Sequence, residues 1–416
     1  MRIALLAHGS RGDIQPLLAV ADELGRRGHA VRMTVNTNMV AWARRTGVDV
    51  VPIEPDVEAL LKSVGGRTLL ATGKLVQLFR LLGEAERTHA KAIMQSCRDA
   101  AEGADLVLSS VLTAYRGDCL AERLDVPHGV LSTVPYLATR RWASFVAPRP
   151  NLGIGWLNRL SYPLMHAVMW QQAKQGIAEM RTALGLPRRW RRPRVERTRS
   201  VQLYGSALVP RPVEWEPQHQ LAGFCGLRPE LRSRLGESEV SHDLQTWLDA
   251  GPPPVFFGFG RMPILEPARV LGWVSAIAKA RGVRALVGAG WSDYGATELP
   301  EHVFLAPIFN HDRVLPRCRA AVHHGGAGTT ASSLRAGLAT AIISVFGDQP
   351  FWGWRLTELG AGTTLRFQAL TEARLAAAVD EVLKSERRER AQTLAGEVAR
   401  ENGAVRAAEI VESWAT

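Results

Sequence analysis

The residues best suited to chemistry lie in two short segments near the end of the chain. An apolar run ends in His323-His324-Gly325-Gly326-Ala327-Gly328-Thr329-Thr330, and Phe346-Gly347-Asp348-Gln349-Pro350-Phe351-Trp352 follows sixteen residues later. Glycines let a backbone turn sharply and approach a ligand, and a helix starting there points unpaired N–H groups and its positive dipole end at whatever binds. A diphosphate fits that geometry. Asp348 and Gln349 come after the next apolar run, Thr340–Val345. In a parallel sheet they return to the same carboxyl-end edge, where a carboxylate and an amide can bind sugar hydroxyls.

The elements that must position these residues are readable from periodicity. Ile3–Ala7 reads as a buried strand, His8–Asp13 as a glycine-rich turn, and Ile14–Arg27 as a helix with Leu17, Leu18, Ala21 and Leu24 on one face and Gly28 as its stop. Further strands are predicted at 31–35, 49–53, 105–109 and 128–132, with a helix at 114–124. The rhythm resumes with strands at 254–259, 283–287, 303–307, 320–323 and 340–344, and residues 370–414 read as helical. The fold class is therefore α/β, with two Rossmann-like domains built on parallel sheets. A chain of 416 residues is too long for one core. Three prolines in Val209–Pro217 suggest a stiff connector, so the expected division is 1–207, a linker at 208–225, and 226–402.

The pair HHGGAGTT and FGDQPFW resembles the donor-binding signature of the family 1 glycosyltransferases with the GT-B fold, in particular the bacterial natural-product enzymes and the sterol glucosyltransferases. The resemblance covers most of the chain and is weakest over 140–226. It implies an inverting transfer of a hexose from a nucleotide diphosphate sugar (UDP- or dTDP-linked) to a hydrophobic acceptor, in a cleft between the domains. It also implies that residues 403–416 form a helix crossing back to the first domain. In the family pattern His324 contacts the diphosphate while Gly326, Gly328 and Thr329 surround it; Ser10, Asp348 and Gln349 complete the implied donor set. These groups would stabilise the leaving diphosphate without a metal or other cofactor.

The opening turn Gly9-Ser10-Arg11-Gly12-Asp13-Ile14-Gln15-Pro16 resembles the GSRGDxxP motif of the antibiotic and sterol members, and Asp13 falls where many relatives carry a catalytic histidine. Inversion needs a base for the acceptor hydroxyl proton, and Asp13 is the candidate. A structural role as helix N-cap stands beside it, and both can hold together. The aspartate that usually orients the histidine is replaced by Ser109-Ser110-Val111, with Asp118 as a secondary candidate, while His8 reads as a structural histidine.

Two positions depart from the pattern. Arg261 stands where the turn after strand 254–259 usually has a serine facing the phosphates, and is expected to act as a donor clamp or to obstruct the site. Arg313 stands where a nucleobase-contacting loop usually has tryptophan; guanidinium also stacks on bases. Tyr136, Trp142 and Phe145, with Trp156, Tyr162 and Trp170, put aromatic surface in the first domain. They suggest an acceptor pocket for a lipophilic polyketide, sterol or phenolic molecule, although most such side chains in any protein fill cores.

Charge and cysteines narrow the partners. The net charge is +11, and residues 188–199 hold seven arginines. Prolines break that stretch and no nucleic-acid fold signature accompanies it, so a solvated loop is expected, with weak membrane-surface contact as the alternative and no nucleic acid. Four scattered cysteines in 416 residues form neither a disulfide framework nor a zinc motif. Without a secretory signal or a membrane-length apolar run, a cytoplasmic monomer or homodimer is expected. A membrane glycolipid transferase, a nucleotide-sugar epimerase of the same fold and a catalytically silent helper remain alternatives.

Overall fold

A computed structural model describes all residues except 73, 146, 189–190, 259–265, 291–298, 307–308 and 415–416. The chain forms two compact units, residues 1–60 with 76–235 and 401–416, and residues 61–75 with 236–400.

The first unit is built on a sheet of β1 (Arg2–Leu6), β2 (Ala30–Asn36), β3 (Asp49–Ile53), β4 (Leu106–Ser110), β5 (His128–Ser132), β6 (Arg199–Gln202) and β7 (His219–Leu221), in the spatial order β3-β2-β1-β4-β5-β6-β7. The second has β8 (Val255–Gly258), β9 (Ala285–Gly288), β10 (Val303–Ala306), β11 (Ala320–His323), β12 (Thr340–Ser344) and β13 (Gly362–Arg366), in the order β10-β9-β8-β11-β12-β13. Every pairing is parallel. Helices cover both faces, so central strands such as Ile3–Leu6 and Ala320–His323 are buried along their whole length. In each sheet the winding direction reverses beside the first strand, between β1 and β4 and between β8 and β11. The carboxyl ends of those strands open the crevice where such folds bind ligands.

Three strands escape the sequence pattern. β6 is Arg-Ser-Val-Gln, and its buried polar groups satisfy one another: Ser200 Oγ lies 2.8 Å from His219 Nδ1, and Gln202 Nε2 donates to Ser200 Oγ at 2.9 Å. A buried strand whose side chains carry their own hydrogen bonds needs no apolar run. β7 lies inside the segment expected to be a linker, and residues 208–225 belong to the first unit rather than joining two domains. Arg211 holds the segment by donating to the carbonyls of Trp215, Glu216 and His219. The division between units falls after Leu235. β13 has every second residue facing outward, a pattern too short to register as buried.

The helix Gly403–Glu412 packs on the helix Arg11–Arg26 within the first unit, where Ala407, Ala408, Ile410, Val411 and Trp414 share a core with Leu17, Val20 and Leu24. Glu412 also pairs with Arg27 and His29, both at 3.0 Å. Among the described residues no helix is long and apolar enough to cross a membrane.

Candidate active site

Asp13 sits in the first turn of the helix that leaves β1. That helix starts at Arg11, three residues earlier than its apolar spacing suggests, with Ser10 as N-cap. Asp13 is therefore not the N-cap: it occupies the third helical position and accepts hydrogen bonds from Ser10 N at 2.8 Å and Ser10 Oγ at 2.9 Å. Burial pushes its carboxyl above the usual range, against the opposing pull of the two Ser10 bonds. Gly9 makes the arrangement possible. Its φ is +129°, and a Cβ there would stand 2.5 Å from Asp13 Oδ2.

The neighbouring strand end supplies no partner carboxylate at 109–111. Ser109 Oγ lies 2.7 Å from His128 Nε2, and Ser110 Oγ lies 3.1 Å from Thr113 Oγ1, which donates to the Leu6 carbonyl at 2.6 Å. The first of these bonds ties β4 to β5 and the last ties the turn after β4 to β1, and Asp13 is oriented by Ser10. Asp118 is half-buried one turn into the helix Ala114–Leu124. His8 is held neutral: burial, with help from the Arg116 charge, pushes it down to about 4. One residue the sequence reading missed stands at this edge, Leu112, 51 % exposed on the turn after β4. An apolar side chain left in solvent beside a polar strand end is a tertiary signal, invisible in the string Val-Leu-Thr.

In the second unit the strand β11 ends at His323, whose Nδ1 accepts the Gly325 N–H at 3.0 Å. Gly325 has φ +87°, and a Cβ there would meet Ile342 Cγ2 at 2.4 Å. Gly326 is the N-cap of the helix Ala327–Arg335 and brings no capping side chain, so the first-turn N–H groups of Ala327, Gly328 and Thr329 are left for a ligand. His324 bends back across this turn: a Cβ on Gly326 would lie 2.6 Å from its Nε2, and its Nδ1 is 3.5 Å from the Gly258 carbonyl. Burial pushes His324 down to about 4 and His323 well below its ordinary value. Both are neutral at pH 7.

Asp348 and Gln349 stand at the same sheet edge, at the start of the helix Gln349–Glu358 after β12. Their acceptors are partly engaged already. Gln349 Oε1 takes the Val345 N–H at 2.7 Å, and Asp348 Oδ2 takes the Trp352 indole N–H. Gln349 thus braces the turn through its oxygen, a role the sequence did not announce. His311 and Phe309 form an edge-on cluster with Phe256, with Arg313 exposed beside them.

The remaining expectations divide. Arg261 lies outside the described residues. Tyr136 and Trp142 are 1 % and 2 % exposed, so both pack in the core rather than lining an open pocket; Phe145 is half-buried. An aromatic count cannot separate the two outcomes, because core and pocket both favour large rings. In the arginine-rich stretch, Arg192 is spent on Glu196 at 2.7 and 2.8 Å, and Arg199 donates to the Trp414 carbonyl. All four cysteines are buried and none is in a disulfide. Among the described residues no group of His, Cys, Asp and Glu is arranged to hold a metal ion.

Comparison with known proteins agrees with this geometry. Residues 3–109 match the glycosyltransferase family 28 N-terminal domain, and residues 290–413 match the erythromycin biosynthesis protein CIII-like C-terminal domain. An uncharacterized glycosyltransferase of Mycobacterium leprae is 32% identical over 98% of this chain and 95% of its own length. A sterol 3-beta-glucosyltransferase of Arabidopsis thaliana is 31% identical over 97% of this chain and 66% of the plant protein. Among solved structures, the glycosyltransferase of kitacinnamycin superposes with a TM-score of 0.72 at 21% identity, covering 100% of this chain and 99% of that one. The glycosyltransferase VinC, solved in complex with dTDP, superposes with a TM-score of 0.66 at 17% identity, covering 100% and 99%. Two Rossmann-like units, a glycine-rich helix start at the second switch point and these relatives together place the chain in the GT-B glycosyltransferases of family 1, and it is a glycosyltransferase.

Proposed function

We propose that the protein transfers a hexose from a nucleotide diphosphate sugar to a hydroxyl of a hydrophobic small molecule, with inversion at the anomeric carbon, without a metal, and with Asp13 as general base. The observation that carries this reading is the Asp13 carboxylate, raised by burial and held by Ser10 at the carboxyl end of β1. A raised carboxyl is a stronger base than a free aspartate, and its proton-accepting oxygen already has a fixed direction. Asp13 takes the acceptor hydroxyl proton as that oxygen bonds to the anomeric carbon and the bond to the diphosphate oxygen breaks. The charge left on the nucleotide diphosphate is met by the N–H groups of Ala327, Gly328 and Thr329 and by His324.

A thymidine diphosphate donor is in keeping with VinC, solved in complex with dTDP, and a lipophilic acceptor with the plant sterol glucosyltransferase. Leu112 and Phe145 are the apolar contacts we assign to the acceptor, and Asp348 and Gln349 are assigned to the sugar hydroxyls.

The test is Asp13→Asn, assayed for transfer and for nucleotide diphosphate affinity. Removal of a general base lowers the rate by about two to four powers of ten and leaves the donor affinity in place, whereas loss of a helix-start bond alone costs about 1 kcal/mol of stability and little activity. Full activity in Asp13→Asn overturns the assignment. Transfer that collapses in EDTA and returns with magnesium overturns the metal-independent reading.

A further inference from the structure

The helix Gly155–Ala183 carries an exposed apolar stripe along its first half. Asn158, Tyr162, Met165 and His166 turn inward, while Trp156, Leu160, Leu164 and Val168 turn outward, 58%, 58%, 64% and 40% exposed. Pro163 and Ala167, also exposed, fill the stripe between them. With Ile154 at 49%, this short stretch holds five of the eight large hydrophobic side chains that stand exposed among the described residues. A continuous apolar face left in solvent marks a surface for a partner or a membrane.

The charges around it select the occupant. No aspartate or glutamate occurs from Val126 to Ala178, a stretch that carries Arg140, Arg141, Arg149, Arg159 and Lys174. Arg140, Arg141, Arg149 and Arg159 are exposed, and the Arg140 side chain lies against Gly155 at the head of the helix. Two carboxylates come close from elsewhere: Glu214, which accepts hydrogen bonds from the Arg140 backbone and the Thr139 hydroxyl and feels the Arg159 charge, and Glu196, which faces His166 on the buried side of the helix. A tryptophan and aliphatic stripe rimmed by arginines suits the boundary of an anionic bilayer, where the stripe enters the acyl region and the guanidinium groups meet headgroup phosphates. A second copy suits it less, since a two-fold pairing of this helix would set arginines against arginines.

We infer that the exposed face of residues 154–168 docks the protein on anionic lipid surfaces, lying in the interface without crossing it. This docking face is separate from the arginine-rich stretch at 188–199, where Arg192 pairs with Glu196 and Arg199 donates to the Trp414 carbonyl while Arg191, Arg194 and Arg197 are exposed. The docking surface is independent of the transfer chemistry, because it can be read without any sugar donor.

The experiment is co-sedimentation of the full chain with vesicles of phosphatidylcholine alone and of phosphatidylcholine mixed with phosphatidylglycerol. Binding is expected on the mixed vesicles, weakening as salt is raised. The double variant Leu160→Glu with Leu164→Glu is expected to lose about tenfold or more in vesicle affinity, with its nucleotide diphosphate affinity and unfolding temperature unchanged. Arg141→Gln with Arg149→Gln, which leaves the helix intact, is expected to lose about fivefold per arginine on mixed vesicles and nothing on phosphatidylcholine. No binding by the wild type overturns the inference, as does binding that both variants retain. A wild-type dimer that the leucine variant dissolves into monomers assigns the face to a second copy and also overturns it. So does a leucine variant that still binds vesicles but no longer transfers sugar to a soluble acceptor.

Discussion

At the scale of single residues, the two units carry opposite protonation problems. Asp13 is raised by burial, so transfer should fall as pH is lowered through its pKa, with a midpoint above that of an ordinary carboxylate. His324 is depressed to about 4 and is neutral before a ligand arrives. If its Nδ1–H points to the Gly258 carbonyl 3.5 Å away, its Nε2 presents a lone pair, which repels a phosphate oxygen. Binding of the diphosphate therefore favours the doubly protonated ring, and association should take up a proton. The sign follows: with a free pKa of about 4 and a bound value above it, affinity rises as pH falls from 8 toward 5. Calorimetric titration in buffers of different ionisation enthalpy reads the proton directly, and His324→Gln should bind more weakly with the uptake abolished. Proton uptake unchanged in His324→Gln would assign it to the nucleotide's own phosphate.

At the scale of elements, the turn between β11 and its helix is held by shape more than by hydrogen bonds alone. Gly325 needs its left-handed φ of +87° and the empty space where a Cβ would press Ile342 Cγ2 at 2.4 Å. Gly325→Ala should cost about 1–3 kcal/mol from the backbone conformation, with further loss from displacing Ile342, and should lower nucleotide diphosphate affinity by about tenfold or more. Gly328 is the control. A Cβ there meets nothing within 4 Å, so Gly328→Ala should fold normally. Equal stability of the two variants by thermal unfolding would sink the account.

At the scale of the whole molecule, the last residues of the chain complete a core begun by the first. Trp414, 7% exposed, packs so closely on β5 that a Cβ on Gly129 would lie 2.0 Å from its ring. Truncation after residue 402 removes this ring together with Ala407, Ala408, Ile410 and Val411, all buried in the first unit's core. Trp414→Ala alone should destabilise that unit by about 3–5 kcal/mol. Differential scanning calorimetry should show the first unit's transition shifted down while nucleotide diphosphate, whose inferred groups lie in residues 323–349, still protects the second. A single unshifted transition contradicts this.

The parallel sheets were legible in the sequence because strands buried on both faces must be continuous apolar runs, and the runs at β1, β4, β8, β11 and β12 leave few alternatives. The donor turn was legible because glycine is the residue that a positive φ and a close backbone approach require, so His-Gly-Gly-Ala-Gly announces its geometry. Asp13 could be chosen as a candidate because the opening turn resembles the GSRGDxxP motif, but its grip by Ser10 and its raised basicity come from atoms brought near by folding. β6 and β7 were hidden because their stability rests on paired polar groups, and a string of Ser, Gln and His reads the same whether it is solvated or satisfied inside. Tryptophans show the limit most plainly: Trp142 is buried and Trp156 is 58% exposed, although both are aromatic residues of one stretch. Hydrophobicity fixes the free energy a side chain gains by leaving water, and the surrounding tertiary structure alone decides which side chains find cover.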